Sequence, residues 1–115
     1  MQISENAKKV ANILAEKKAQ DILIIHVSDK TIISDYFVIA SGTSTTHTST
    51  LAEEVELQMA KENIRPLRHE GIREGRWAVI DYGDVLVHIF HNDERDFYQL
   101  ERLWTDGDNY IKYED

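Results

Sequence analysis

There is no cysteine among the 115 residues, so a disulfide framework and a thiolate metal site are both excluded. Proline occurs once and glycine five times, too few for a flexible linker or a low-complexity stretch. The longest apolar runs, 22–25 and 36–40, fall far short of the roughly 20 residues that cross a bilayer. The opening Met1-Gln2-Ile3-Ser4-Glu5-Asn6 has neither the basic start nor the apolar core of a signal peptide, so a cytoplasmic location is expected. Basic residues are also scarce: 13 Lys and Arg stand against 21 Asp and Glu, a net charge of −8. Nucleic-acid phosphates repel such a chain, and direct sequence-specific binding to nucleic acid is not expected. The densest basic group, Arg65, Arg68, Arg73 and Arg76, is interrupted by Glu70 and Glu74. An acidic domain suits a basic protein partner, because complementary fields speed encounter. Negative charge by itself also serves solubility.

What is present is an ordinary globular composition, 42% hydrophobic and 30% charged, enough for one domain with a single packed core. Ser4 can cap a helix whose apolar residues fall at Ala7, Val10, Ala11 and Leu14, the spacing of one buried face. Asp21 interrupts it. Residues 22–27 are β-branched at four of six positions and suit a strand covered on both faces. A polar turn over 28–31 leads to a second strand at 36–40. A small-residue loop, 41–45, then opens a helix with Leu51, Ala52, Val55 and Met59 on its core side and a stop near Asn63. Residues 65–70, with Pro66 near the start, predict a third strand at an edge or a first position. Strands at 77–80 and 85–90 follow, meeting at a tight turn. Asn92 or Asp93 caps a last helix striped by Phe97, Leu100, Leu103 and Trp104, and Gly107 ends it. The expected fold is α/β (α+β): a mixed five-stranded sheet with about three helices, covering residues 1–107. Residues 108–115 form a polar, loose C-terminal tail.

Several chemistries can be weighed against plainer explanations. A Gly42-Thr43-Ser44 loop between a strand and a helix could hold an anion on backbone N–H groups, as in nucleotidyltransferases. Those enzymes also need paired carboxylates on one strand face for Mg²⁺, and no Asp-x-Asp or Glu-x-Glu strand follows this loop. A strained turn at Gly42 and a cap at Ser44 or Thr45 explain the loop better. His88 and His91 share a strand end, where residues three apart face opposite sides, so they make no metal pair. His88 reads as a hydrogen-bonded sheet residue, and His47 is as readily a surface residue as a functional one. No nucleophile sits in a recognisable context, so no catalytic residue, metal or cofactor is expected.

The turn at Asp81-Tyr82-Gly83-Asp84 is different. Turn chemistry accounts for one Asp beside a glycine, but not for two with Trp77 and Tyr82 on the same hairpin. Carboxylates beside exposed aromatics are what a site for Arg or Lys of a partner requires. Turn and interface stand about even on the residues alone. The stripe Phe97, Leu100, Trp104 is more often core, whereas Tyr98 and Glu101 fall on a neighbouring side that can be exposed.

The block from Trp77 to Trp104, with Asp81, Gly83-Asp84, His88, Phe90, Arg95, Tyr98, Leu100-Glu101 and Leu103-Trp104, resembles the signature of the ribosomal silencing factor family (RsfS, also called Iojap). Upstream, Asp35, Gly42-Thr43-Ser44, His47, Ala52 and Glu70-Gly71 match as well. Two positions depart: Thr45-Thr46-His47 stands where the family commonly has Ser-Arg-His, and Thr48 replaces a usual apolar residue. The resemblance implies a nucleotidyltransferase-like fold without its catalytic carboxylates, and no enzymatic activity. It implies binding to the large ribosomal subunit through the intersubunit-face protein number fourteen, a small basic protein. The bound factor would block joining of the small subunit and lower translation in starvation, and the free form would be a homodimer. The interface residues it suggests are Trp77, Asp81, Tyr82, Gly83 and Asp84, then Glu70, His88, Tyr98 and Glu101. The acids would pair with Arg or Lys, the aromatics would add apolar area, and Gly83 would admit close backbone approach. An enzyme transferring nucleotidyl groups and a dimeric scaffold unconnected to ribosomes are the competing expectations.

Overall fold

The computed structural model describes residues 4–93, 95 and 100–113. Helix α1 (Glu5–Glu16) starts where expected, with the Ser4 hydroxyl accepting from the Ala7 N–H. It buries Ala7, Val10, Ala11, Ile13 and Leu14 along one face. Lys18, at φ 70°, turns the chain back into strand β1 (Gln20–His26). Strand β2 (Tyr36–Gly42) leads into helix α2 (Thr45–Ala60), capped by Ser44, whose hydroxyl accepts from the His47 N–H. Strands β3 (Arg68–Glu70), β4 (Trp77–Asp81) and β5 (Val85–His91) follow. Helix α3 (Leu100–Trp104) and strand β6 (Tyr110–Lys112) complete the order.

The strands form one sheet in the order β3-β4-β5-β2-β1-β6. Only β2 and β5 run parallel; the other neighbours are antiparallel. Strand alternation divides the sheet into two faces. Ile22, Ile24, Val38, Ala40, Ala78, Ile80, Val85, Val87 and Ile89 face α1 and α2 and form the larger core. Leu23, Ile25, Phe37, Ile39 and Phe90 face the other way, joined by Val27. Burial on both faces explains the unbroken apolar reading of β1 and β2.

Three expectations need correction. The sheet has six strands, not five, and the sixth comes from the stretch read as a loose tail. Tyr110, Ile111 and Lys112 pair with Ile25, Ile24 and Leu23, because β1 would otherwise leave a row of backbone donors and acceptors unpaired beside apolar side chains. The third strand is three residues long, and Pro66, which cannot donate to a ladder, lies outside it. Asn92 and Asp93 are already helical directly after β5, so neither precedes a helix as its cap. Of the expected apolar stripe, Trp104 meets the Phe37 ring edge-on at 5.1 Å; Phe97 lies outside the described residues.

Candidate functional site

The face away from α1 and α2 is not evenly covered. Trp104 packs over it at Phe37, on the β2 side. Towards the β3 edge the same face stays half-exposed. There the register sets Glu70 beside Val79 and His88, Arg68 beside Asp81 and Leu86, and Trp77 beside Phe90. Glu70 and Arg68 are exposed, and Trp77, Val79 and Leu86 are half-buried. The result is an apolar strip of three side chains bordered by an exposed carboxylate and an exposed guanidinium.

Trp77 is fixed from two sides. Its ring stacks on Phe90, with centroids 4.9 Å apart at 25°, and its indole Nε1–H donates to His88 Nδ1 at 3.1 Å. That bond puts the ring proton of neutral His88 on Nε2. His88 is buried against Phe37, whose ring lies edge-on at 5.1 Å, and among the described residues its Nε2 has no hydrogen-bond partner. Burial pushes the His88 pKa down to about 4.

A pH dependence follows from this geometry. The folded pKa lies below the ordinary value of 6.5, so the unfolded chain binds the extra proton. Stability should therefore fall as pH drops from 6.5 towards 4, by about 3 kcal/mol in total from this group. Urea midpoints of the native chain and His88→Phe at pH 7.5, 5.5 and 4.5 measure it. The native chain should lose the larger share on acidification, and parallel losses in both would contradict the assignment to His88.

The turn residues are arranged differently from the expectation of one acidic hairpin tip. Asp81 is buried, and both its oxygens are engaged: Oδ1 accepts from the Gly83 N–H at 2.8 Å and Oδ2 from Arg68 Nε at 3.2 Å. Gly83, at φ 89°, lets that short turn close. Tyr82 packs on the helix-side core, and its hydroxyl is buried with no partner among the described residues; burial raises its pKa. Asp84 accepts from Asn6 Nδ2 of α1 at 3.3 Å, and its carbonyl holds the N–H groups of Asp35 and Tyr36. Of the sequence candidates, Glu70, Trp77, Asp81 and His88 share one face. Tyr82 and Asp84 turn to the other, Tyr98 lies outside the described residues, and Glu101 belongs to α3. Val79, Leu86 and Arg68 were missed, although period-two alternation from Trp77, His88 and Glu70 places each on the same face as its strand's candidate.

The loop before α2 is occupied by its own side chains. The Thr43 N–H donates to His47 Nδ1 at 3.0 Å, and His47 Nε2 reaches the Lys17 carbonyl at 3.0 Å. His47 thus ties the end of α1 to the start of α2. The buried Thr48 hydroxyl donates to the Ser44 carbonyl at 3.0 Å, which is how a polar residue fits a position expected to be apolar. A further tie is Arg95, buried, with Nη1 donating to the Asp21 carbonyl at 2.6 Å and to Ser41 Oγ at 2.8 Å. Beside Glu70, on the α2 side, a groove of about 550 Å³ is lined by Glu53, Glu56, Glu74, His69 and Arg73. His69 Nδ1 bonds Glu56 there at 2.8 Å.

What this region offers chemically is an apolar strip with exposed carboxylates and the guanidinium groups of Arg68 and Arg73 around it. Among the described residues, no three His, Asp or Glu side chains are grouped to hold a metal ion, and none forms a helix long and apolar enough to cross a membrane. Comparison with known proteins agrees with the fold. The chain is 39% identical over 106 residues to the ribosomal silencing factor RsfS of Bacillus subtilis, covering 89% of this chain and 90% of that one. It is 31% identical to the mouse protein named mitochondrial assembly of ribosomal large subunit protein 1, across 84% of this chain and 43% of the mouse protein. A crystal structure from Chromobacterium violaceum superposes with a TM-score of 0.86 at 31% identity, covering 90% of this chain and 87% of the other. The model of the family described as "Ribosomal silencing factor during starvation" matches residues 1–115, and the chain belongs to that family, RsfS.

Proposed function

We propose that the protein represses translation by binding the large ribosomal subunit in the cytoplasm and keeping the small subunit from joining it. The carrying observation is the half-exposed strip of Trp77, Val79 and Leu86 with exposed Glu70 at its border. A strip of that kind offers a half-exposed aromatic anchor inside a charged rim, the composition typical of a protein interface. The occupant we assign is the intersubunit-face protein number fourteen, a small basic protein. Charge supports this choice: the chain carries −8, and four glutamates line or border the groove next to the strip. Glu70 and those acids face Arg or Lys of the partner, while Trp77 and Leu86 supply the desolvated area. Asp81 acts by holding Arg68 and the turn. Tyr82, Gly83 and Asp84 shape the hairpin, and Tyr98 and Glu101 belong to the same interface. The free protein is a homodimer, and no catalytic step is part of this function.

The test is subunit joining followed by light scattering. Large subunits preincubated with the protein should fail to combine with small subunits, whereas small subunits preincubated with it should combine normally. Unimpaired joining at saturating protein would overturn the steric mechanism.

A further inference from the structure

Leu67 is 75% exposed, and its surroundings set it apart from an ordinary surface leucine. Pro66 locks the backbone just before it, and the Leu67 N–H donates to the Asp81 carbonyl at 2.7 Å. Arg68 faces the same residue in the β3–β4 register and holds its carboxylate through Nε at 3.2 Å. Two consecutive residues therefore address Asp81, the arrangement of a bulge, which re-aims a side chain at a sheet edge. The leucine is aimed over the hairpin turn: a Cβ added to Gly83 would meet Leu67 Cδ1 at 3.6 Å. Since Gly83 carries no side chain, that flank of Leu67 stays open.

Leu67 also stands in line with the strip. Trp77, Val79 and Asp81 alternate onto one face of β4, and Leu86 lies beside Asp81. Four residues of strand separate Trp77 from Asp81, roughly 13 Å, and Leu67 lies at that end, next to the turn. Glu70 borders the middle of this path, opposite Val79. Leu57, also exposed, has no such place: it belongs to α2, on the other side of the sheet.

We infer that Leu67 is a second apolar anchor of the surface centred on Trp77. The partner crosses this face with two apolar side chains roughly 13 Å apart, one seated at Trp77 and one at Leu67, and sets a cationic side chain against Glu70 between them. The assignment rests on the reading that the strip receives the basic protein of the large subunit. Continuity with the strip names the occupant, because a chain that covers Val79 and Leu86 has Leu67 next in its path. Pro66 and the bonds to Asp81 hold this segment before anything binds, so covering the leucine costs little ordering. Bare Gly83 lets a backbone close on it.

The test compares affinity for purified large subunits of the native full chain, Leu67→Ser and Leu67→Met, at low and moderate salt, with sedimentation velocity of each free protein in parallel. Leu67→Ser should bind about tenfold more weakly, by the same factor at both salts, because apolar area is lost rather than charge. Its urea midpoint should match the native one, since the side chain is exposed. Leu67→Met, which keeps the apolar volume, should stay within about twofold of native. Equal affinity of Leu67→Ser and the native chain would overturn the inference and leave the strip assignment standing. A change confined to self-association would overturn it as well, giving Leu67 to a second copy of the chain. A native chain that binds no large subunit would take down both the inference and the reading beneath it.

Discussion

Gly71→Ala should cost roughly 3 kcal/mol or more of stability, among the largest effects of any single methyl group in this fold. Gly71 sits at φ 76°, and a Cβ there would lie 2.1 Å from the Trp77 carbonyl oxygen and 3.1 Å from its carbon. Both are backbone atoms, so no rotamer change relieves the overlap. The left-handed conformation adds of order 1 kcal/mol of strain for a non-glycine residue. Because Gly71 follows β3 directly and presses on the first residue of β4, the displacement reaches the pairing of Glu70 with Val79. Gly83→Ala is the matched comparison: its φ is 89°, but the added Cβ would meet only Leu67 Cδ1, at 3.6 Å. Urea denaturation should show a small midpoint shift for Gly83→Ala and a much larger one for Gly71→Ala. Equal shifts would mean that backbone conformation, not contact with Trp77, dominates at Gly71.

The second large effect is on binding. Trp77→Ala should lower affinity for the large subunit by about 30-fold or more, the scale of a central aromatic anchor worth some 2 kcal/mol. The indole is held by Phe90 and His88, so it presents its area in one orientation before a partner arrives, which reduces the ordering cost of association. Truncation also removes the donor to His88 and the stacking on Phe90, so it acts on both the interface and the fold. Glu70→Lys separates the two. Glu70 is exposed, and reversing its charge leaves the core untouched while setting a cation against a basic partner. Weakened binding with an unchanged urea midpoint in Glu70→Lys would place the effect at the interface.

The sequence and the structure part company where distant contacts decide the outcome. Helices α1 and α2 were legible because their apolar residues recur at helical spacing and Ser4 and Ser44 stand before them as caps. The β4–β5 hairpin was legible from two apolar runs flanking Tyr82-Gly83. Strand β6 was not: Tyr-Ile-Lys among polar residues has no strand signal of its own, and its conformation is imposed by the open edge of β1. Asp21, read as a break, lies inside β1 at φ 50°, with its carbonyl taken by Arg95 from 74 residues away. At the candidate site, Trp77, Asp81, His88 and Glu70 fell on one face as alternation allows, but Tyr82 and Asp84 did not. The turn between them reverses which face the chain addresses, and α1 claims Asp84 through Asn6. Charge type was legible at Asp81, but not its use: an ion pair with Arg68 across two strands depends on register.

The most direct measurement is sedimentation of the purified chain, native and Trp77→Ala, with separated large and small ribosomal subunits at low and moderate salt. The native chain should pellet with the large subunit alone, less of it as salt rises, and Trp77→Ala should remain in the supernatant with its circular dichroism intact. Native protein left in the supernatant with both subunits, its fold verified, would contradict assignment of the Trp77 strip to the large subunit.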